Sequence, residues 1–359
     1  MAEQGRRGRV VALLANYCWV QLDKPGPDAI RRLLCTRRTR LGKSGQSICV
    51  GDWVRVEGID WPAARAAVAA VEPRGLVLDR PPVANLSTVV VVVALAEPAL
   101  DPLQLTRFLI TAERSGAAVE LVFSKVDLLP AAQVDQWLQR AAGWGYQPLA
   151  VSTSVSTSVS TAVPQVAARG LEGLRQRLSR PGLAVLCGPS GVGKSSLINA
   201  LIPDLGLRVA AVSGRLQRGR HTTRHVELFP LADGALLADT PGFNRPVLPQ
   251  EPADLTACFP ELRARLAARS CQFSDCQHQG EPGCVIGAGW DRQSLYSQCL
   301  SELLAEQRRS PGSSRADVGG LRQRGDRLEP RLEARYRQLS RRGLRQQTAA
   351  ELNLPDPED

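Results

Sequence analysis

The sequence predicts a multidomain chain. An N-terminal β-barrel precedes a central α/β domain built on a phosphate-binding loop, and a C-terminal, mostly helical domain surrounds a metal-ligand cluster. Three observations predict this. Short strands separated by turn signals fill the beginning of the chain. Apolar strands then alternate with amphipathic helices around Gly188-Pro-Ser-Gly-Val-Gly-Lys-Ser195. Finally, three cysteines and a histidine crowd into residues 271–284.

The first domain is assigned to residues 1–84. Its strands are Gly8–Leu14, Tyr17–Leu22, Ile30–Cys35 and Trp53–Val56. Turn signals at Asp23–Asp28, Lys43–Gln46 and Gly51-Asp52 separate them. Several short strands in so small a span point to a small barrel, with an OB-fold the leading choice. Arg31, Arg32, Arg37, Arg38, Arg40 and Lys43 concentrate positive charge there, as a phosphate-backbone footprint for RNA requires.

The second domain is assigned to residues 85–252. Val89–Leu95 and Val119–Phe123 read as buried strands, followed by helices over 102–115 and 131–143. Gln147–Val151 is the next strand, Ser152–Thr161 a low-complexity surface loop, and 171–180 a helix. Leu183–Cys187 leads into the glycine-rich loop, and Ser196–Ile202 continues from it as a helix that Pro203 ends. Residues 213–224 read as a mobile Gly/Arg loop, and 225–230 with 235–239 as a strand hairpin. Residues 253–310 are read as the metal domain, 309–328 as a linker, 329–345 as a basic helix and 352–359 as a disordered acidic end. The last two belong to a basic helical tail, partly disordered, at 311–359.

Composition narrows the partners. The chain has 359 residues, 43% of them hydrophobic, and a formal charge of +10. That charge favours a polyanion, either nucleic acid or a membrane surface. Aromatics make up only 4%, so stacking of bases on many exposed rings is not expected. The segment Met1–Arg7 is polar, so no signal peptide is expected, and no run reaches the ~18 apolar residues of a membrane span. The nine cysteines are odd in number, and three sit beside one histidine, which favours a reducing compartment over a disulfide framework.

The motifs then specify chemistry. In a strand–loop–helix setting, Gly188, Pro189, Ser190, Gly191, Val192, Gly193, Lys194, Ser195 and Ser196 form a loop and helix start whose available backbone N–H groups converge on phosphates. Lys194 would reach the β- and γ-phosphates, and Ser195 would ligate Mg²⁺. Asp239-Thr-Pro-Gly242 lies 45 residues after Lys194. Asp239 is placed to hold Mg²⁺ through water, and the Gly242 N–H to meet a γ-phosphate. Between them, Thr222, with Thr223 as second choice, would cap Mg²⁺. Ser124-Lys-Val-Asp127 follows a strand, so Asp127 can accept from guanine N1–H and N2–H₂. Adenine presents the opposite pattern. The Lys125 stem can pack along the base, and Ser152 fits the second base-contact loop, whose backbone N–H meets guanine O6.

These motifs keep the cyclic order of a GTPase, but the base motifs precede the phosphate loop. Joining the usual termini and cutting elsewhere preserves the core, so the domain reads as a circularly permuted P-loop GTPase. The new cut follows Asp239–Gly242. Nucleotide state is therefore expected to reorient the C-terminal domain. There, Cys271, Cys276, His278 and Cys284 supply three thiolates and one imidazole, a closed tetrahedral set suited to one structural Zn²⁺. Cys18, Cys35, Cys49, Cys187, Cys258 and Cys299 read as buried thiols.

With Gly219-Arg-His-Thr222, Asp239-Thr-Pro-Gly-Phe243, Arg80–Asn85 and the cysteine–histidine cluster, the chain resembles the small-ribosomal-subunit biogenesis GTPases of the RsgA (YjeQ) type over residues 8–308. The resemblance implies an OB-fold, a circularly permuted GTPase domain and a zinc domain. It also implies late maturation of the small (30S) subunit, rRNA contacts and subunit-stimulated hydrolysis of GTP to GDP. His221 becomes the candidate to orient the attacking water, since Phe243 stands where many GTPases carry glutamine. Ser124 departs from the family's usual Asn or Thr, and a shorter serine is expected to tie the base loop to the phosphate loop less well. A cytoplasmic monomer without a membrane partner is expected. The alternative is a non-enzymatic, nucleotide-responsive rRNA-binding module.

Overall fold

The computed structural model describes residues 5–37, 47–79, 82–153, 164–205, 226–231, 234–239, 246–309, 321–324 and 327–330. His221, Thr222, Thr223, Gly242, Phe243 and most of the 152–161 run lie outside the described residues, as do Arg38, Arg40 and Lys43.

Five strands close the barrel: β1 (Arg6–Leu13), β2 (Tyr17–Leu22), β3 (Arg32–Arg37), β4 (Trp53–Asp60) and β5 (Arg65–Val71). They pair in the order β1-β2-β3-β5-β4, and β1–β4 pairing closes the ring, giving the expected OB-type barrel. Val10, Val20, Leu33, Val54, Val56 and Val68 fill its interior. The sequence reading missed β5. Arg65-Ala-Ala-Val-Ala-Ala-Val71 is alanine-rich and has little intrinsic strand preference. It becomes a strand because β3 and β4 each need a partner, and β5 pairs with both. A short hairpin, β6 (Val77–Asp79) with β7 (Pro82–Ala84), follows.

The central sheet runs β10 (Leu149–Ala150), β9 (Ala118–Ser124), β8 (Thr88–Ala94), β11 (Gly182–Cys187), β13 (Ala235–Asp239), β12 (Glu227–Pro230). All its pairs are parallel except β12–β13, the expected hairpin. Alternation along the valine run of β8 sends Val89, Val91 and Val93 to one face and Val90 and Val92 to the other. Each such side chain contributes about 1.5–3 kcal/mol on burial.

The first face is covered by α1 (Pro102–Arg114) and α2 (Ala131–Gly143). Asp101 starts α1 by accepting from the Leu103 N–H at 2.9 Å, and Pro102 pre-sets its first turn. Leu105, Phe108, Leu109 and Ala112 then fall on its buried side at helical spacing. The second face is covered by α3 (Pro164–Leu178), which starts earlier than expected, and by α4 (Lys194–Leu201).

Three further helices, α5 (Pro252–Ala257), α6 (Pro260–Ala268) and α7 (Gln293–Arg309), frame the cysteine loop. Phe259, Trp290 and Tyr296 meet between them with centroids 5.3–5.9 Å apart. Ion pairs fasten this region to the first face: Arg263–Glu113 at 2.6 Å, Arg107–Glu302 at 2.6 Å and Arg140–Asp291 at 2.8 Å.

Contacts divide the chain into two compact units, Met1–Leu303 and Leu304–Asp359. Within the second, β14 (Leu321–Arg324) and β15 (Arg327–Pro330) form an antiparallel hairpin. This corrects the expected linker and the start of the expected basic helix. Gly325-Asp326 between the strands is a dipeptide that favours two-residue hairpins, a signal that outweighs the arginine-rich composition.

Candidate nucleotide site and metal centre

The parallel strands deliver the predicted residues to one end of the sheet. Ser124 closes β9, Cys187 closes β11 and Asp239 closes β13, with Ser152 just beyond β10. Leu186 pairs with Asp239, so the Asp239 backbone lies beside the start of the phosphate loop. This is the end at which open parallel sheets bind ligands.

Gly188 is required by the backbone. Its φ is +143°, and a Cβ there would lie 2.0 Å from the Val92 carbonyl oxygen of β8. The loop can therefore pass over the sheet only without a side chain. Gly193, at φ +90°, begins α4 without a side-chain cap, so the first N–H groups of α4 are left to a ligand. The Lys194 ammonium donates to the Gly188 and Pro189 carbonyls at 2.8 and 2.6 Å, which holds the charge across the loop.

Base and phosphate loops are tied directly. Ser124 Oγ donates to the Val192 carbonyl at 2.6 Å. The serine hydroxyl, though short, reaches because Val192 is buried against the same strand ends. What serine lacks is an amide to address guanine N7. Lys125, at φ +54°, donates to the carbonyl of Glu97, and the Ser152 hydroxyl donates to Asp127 Oδ1. The two predicted base-contact residues therefore touch, with the serine orienting the carboxylate. Glu97 was not foreseen from the sequence, because it acts through its carbonyl and carbonyl contacts leave no side-chain signature.

The predicted metal ligands also converge. Nδ1 of His278 lies 3.6, 3.6 and 3.7 Å from the sulfurs of Cys271, Cys276 and Cys284. All four donor atoms lie within 4.8 Å of one another. A tetrahedron with metal–sulfur bonds of about 2.3 Å and metal–nitrogen bonds of about 2.0–2.1 Å has S···N edges of about 3.6 Å, so the donor set fits a zinc-sized ion. Burial lowers the pKa of the His278 imidazole and so keeps it in the neutral, metal-binding form.

Burial also raises the pKa of the Cys276 thiol, reinforced by hydrogen bonds with Cys284 and Cys271, a penalty that a bound cation would offset. The sequence reading also missed Glu281. Its carboxylate accepts from the Gln277 and Gln279 N–H groups at 3.0 and 2.8 Å and so shapes the loop that carries His278. Burial opposes its ionisation, but these backbone donors prevail and hold its pKa below the ordinary carboxylate range. The other six cysteines are buried, as expected.

The barrel carries three of the six tryptophans. Trp19, Trp53 and Trp61 lie on it with arginine guanidinium groups 4.0–5.1 Å from their ring centres: Arg32, Arg7 and Arg6 respectively. Few aromatics in total still allow a concentration of them on one domain. No helix among the described residues is long and apolar enough to cross a membrane.

Comparison with known proteins agrees with this geometry. The family model described as RsgA GTPase matches residues 71–249. A protein of Synechococcus sp. (strain CC9605) named small ribosomal subunit biogenesis GTPase RsgA is 56% identical over 305 residues, covering 85% of this chain and 96% of the relative. One of the same name from Microcystis aeruginosa is 45% identical, covering 94% and 92%. The crystal structure of YjeQ from Thermotoga maritima superposes with a TM-score of 0.66 at 27% identity, covering 83% of this chain and 98% of that one. The fold is also that of YloQ, a circularly permuted GTPase, with a TM-score of 0.65 at 24% identity and coverage of 86% and 97%. On the order of its motifs, the convergence of its site residues and this similarity over most of its length, the chain belongs to the RsgA GTPase family.

Proposed function

We propose that the chain hydrolyses GTP to GDP and phosphate as a maturation factor of the small ribosomal subunit. One observation carries this: Ser124–Val192 and Ser152–Asp127 join both base loops to the phosphate loop at one sheet end. Asp127 selects guanine, with Lys125 along the base and the Ser152 backbone near O6. The loop from Gly188 to Ser196 cradles the phosphates. Ser195, Thr222 and Asp239 would hold Mg²⁺, which neutralises charge on the β- and γ-phosphates when bound. The Gly242 N–H would meet the γ-phosphate, and His221 would orient the attacking water once the subunit orders its loop.

The proposed domains are 1–84 for rRNA contact, 85–252 for nucleotide, and 253–310 around one structural Zn²⁺. Nucleotide state would act on the last through residues 247–248, which are held to α1. There the Val247 N–H donates to Thr111 Oγ1 at 3.2 Å, and Arg114 donates to the Val247 and Leu248 carbonyls at 3.1 and 3.2 Å. The protein would work as a cytoplasmic monomer with the subunit, its rRNA and GTP/GDP, and without a membrane.

The test is phosphate release from GTP and from ATP, with and without purified small subunits. GTP-selective turnover that rises with subunits is expected, and His221→Ala should lose the stimulated part while still binding GTP. Turnover indifferent to subunits would refute the reading, and normal stimulation in the variant would refute the histidine's role.

A further inference from the structure

The turn that follows β8 belongs to none of the nucleotide motifs, yet it lies beside two of them. Ala94, the last residue of β8, pairs with Ser124. The Leu95 N–H then donates to the Ser124 carbonyl at 3.4 Å, so residues 95–101 start against the base loop. They also adjoin the phosphate loop: a Cβ on Gly191 would lie 3.9 Å from Pro98 Cδ. At their far end Asp101 caps α1 through the Leu103 N–H. Leu105, Phe108 and Leu109 bury that helix in the core, and Arg107 and Glu113 pair with Glu302 and Arg263 from its outer side. Both ends of the turn are therefore fixed.

One contact crosses from this turn to the base loop. Lys125 Nζ donates to the Glu97 carbonyl. Both residues are held in left-handed backbone, at φ +54° and +51° respectively. Among the described residues seven non-glycine positions have positive φ, and two of them meet in this single bond. Neither side chain is of the short polar kind that lets Asn or Asp tolerate that region, so the conformation carries a backbone cost at both positions. Such costs persist where the surroundings over-determine the backbone, and they cluster at ligand clamps. The Glu97 side chain is exposed. What its strained backbone secures is the direction of the carbonyl.

We infer that Glu97 is a positioning residue of the nucleotide site: its carbonyl latches the Lys125 ammonium, and the latch slows the release of guanine nucleotide. This rests on the reading above that the Lys125 stem lies along a guanine base. A free lysine stem is flexible and loses rotamer freedom when a ligand orders it. Tied at its ammonium, the stem is already extended before the base arrives, so less is lost on binding. Opening the latch returns that freedom and loosens one wall of the base cleft, which speeds escape. The contact lies on the base side, so GDP and GTP are affected alike. Glu97 acts through Lys125 and itself touches no nucleotide.

The experiment measures release of fluorescent GDP, and of a fluorescent non-hydrolysable GTP analogue, from the full chain. Valine is β-branched and cannot keep the left-handed backbone, so Glu97→Val turns the carbonyl away, whereas Glu97→Asn retains it. Glu97→Val should release both nucleotides about tenfold faster, and Glu97→Asn at the unsubstituted rate. Lys125→Met removes the same bond, so adding Glu97→Val to it should change little further. Unchanged release in Glu97→Val, equal effects of Val and Asn, an effect on GTP alone, or full additivity with Lys125→Met overturns the inference. Melting temperature reports the integrity of each variant. If Glu97→Val does not fold, hydrogen exchange in Lys125→Met carries the test: peptides spanning 95–101 should exchange faster, and unchanged protection overturns the inference. Failure of the unsubstituted chain to bind either nucleotide would instead overturn the guanine reading on which it stands.

Discussion

Ser124 illustrates how a single residue carries the site. Its hydroxyl is nearly buried, at 7% exposure, and it has one proton to give. The 2.6 Å contact to the Val192 carbonyl takes that proton in preference to the 3.3 Å contact to Val93. Ser124→Ala would leave the Val192 carbonyl without this donor, at about 1–3 kcal/mol. GTP and GDP affinities should therefore fall together, by about tenfold, while preference over ATP persists because Asp127 is intact. Titration with the three nucleotides checks this, and unaltered affinity would show that the tie is idle. The motif Ser124–Asp127 was legible in the sequence. The bond from Ser152 to Asp127 was not, because 25 residues separate the two and only β9–β10 pairing joins them.

Among the elements, the cysteine loop is the one whose donor set fits a metal ion. It has little regular backbone structure between α6 and α7, and short turns and the Glu281 carboxylate hold it. Tyr296 of α7 donates to the Gln277 carbonyl at 3.0 Å, which links the ligand loop to the aromatic cluster. Cys276→Ser should lower zinc content well below one per chain and flatten the near-ultraviolet circular dichroism of Trp290 and Tyr296. GTP binding should survive, since the nucleotide loops hang on other strands. Metal analysis beside the spectrum and a GTP titration decides it; full zinc occupancy in the variant would contradict the ligand assignment. The four ligands could be read from spacing alone. Glu281 could not, because an acid among turn residues looks like any solvated charge.

For the whole molecule, the notable feature is continuity between barrel and central sheet. Ala12 of β1 pairs with Glu227 of β12, so one eleven-strand sheet runs from the base loop to the barrel. At the same junction the buried Arg9 donates to the Gly51 and Asn85 carbonyls at 3.2 and 3.1 Å. Burial, and then the charge of Arg7, lowers its pKa to about 10, still well above neutrality, so it remains charged. Removing residues 1–84 would uncover the β12 edge and leave the Asn85 carbonyl without its Arg9 donor. The truncated chain should associate through that edge. Size-exclusion chromatography at several concentrations tests this, and a monodisperse truncated monomer would mean that the barrel is a mere appendage.

The sequence by itself determined the chemistry. Glycine, lysine, aspartate, cysteine and histidine at fixed spacing have few alternative uses, and strand–loop–helix order places them on local structure. It also determined the permutation, since motif order is a property of the chain. Only the tertiary structure decided how distant parts meet. Barrel closure turned an alanine-rich stretch into β5, sheet pairing brought Ser152 to Asp127, and the turn after β8 brought the Glu97 carbonyl to Lys125. These outcomes depend on partners supplied by residues tens to hundreds of positions away, and short-range patterns carry no record of them.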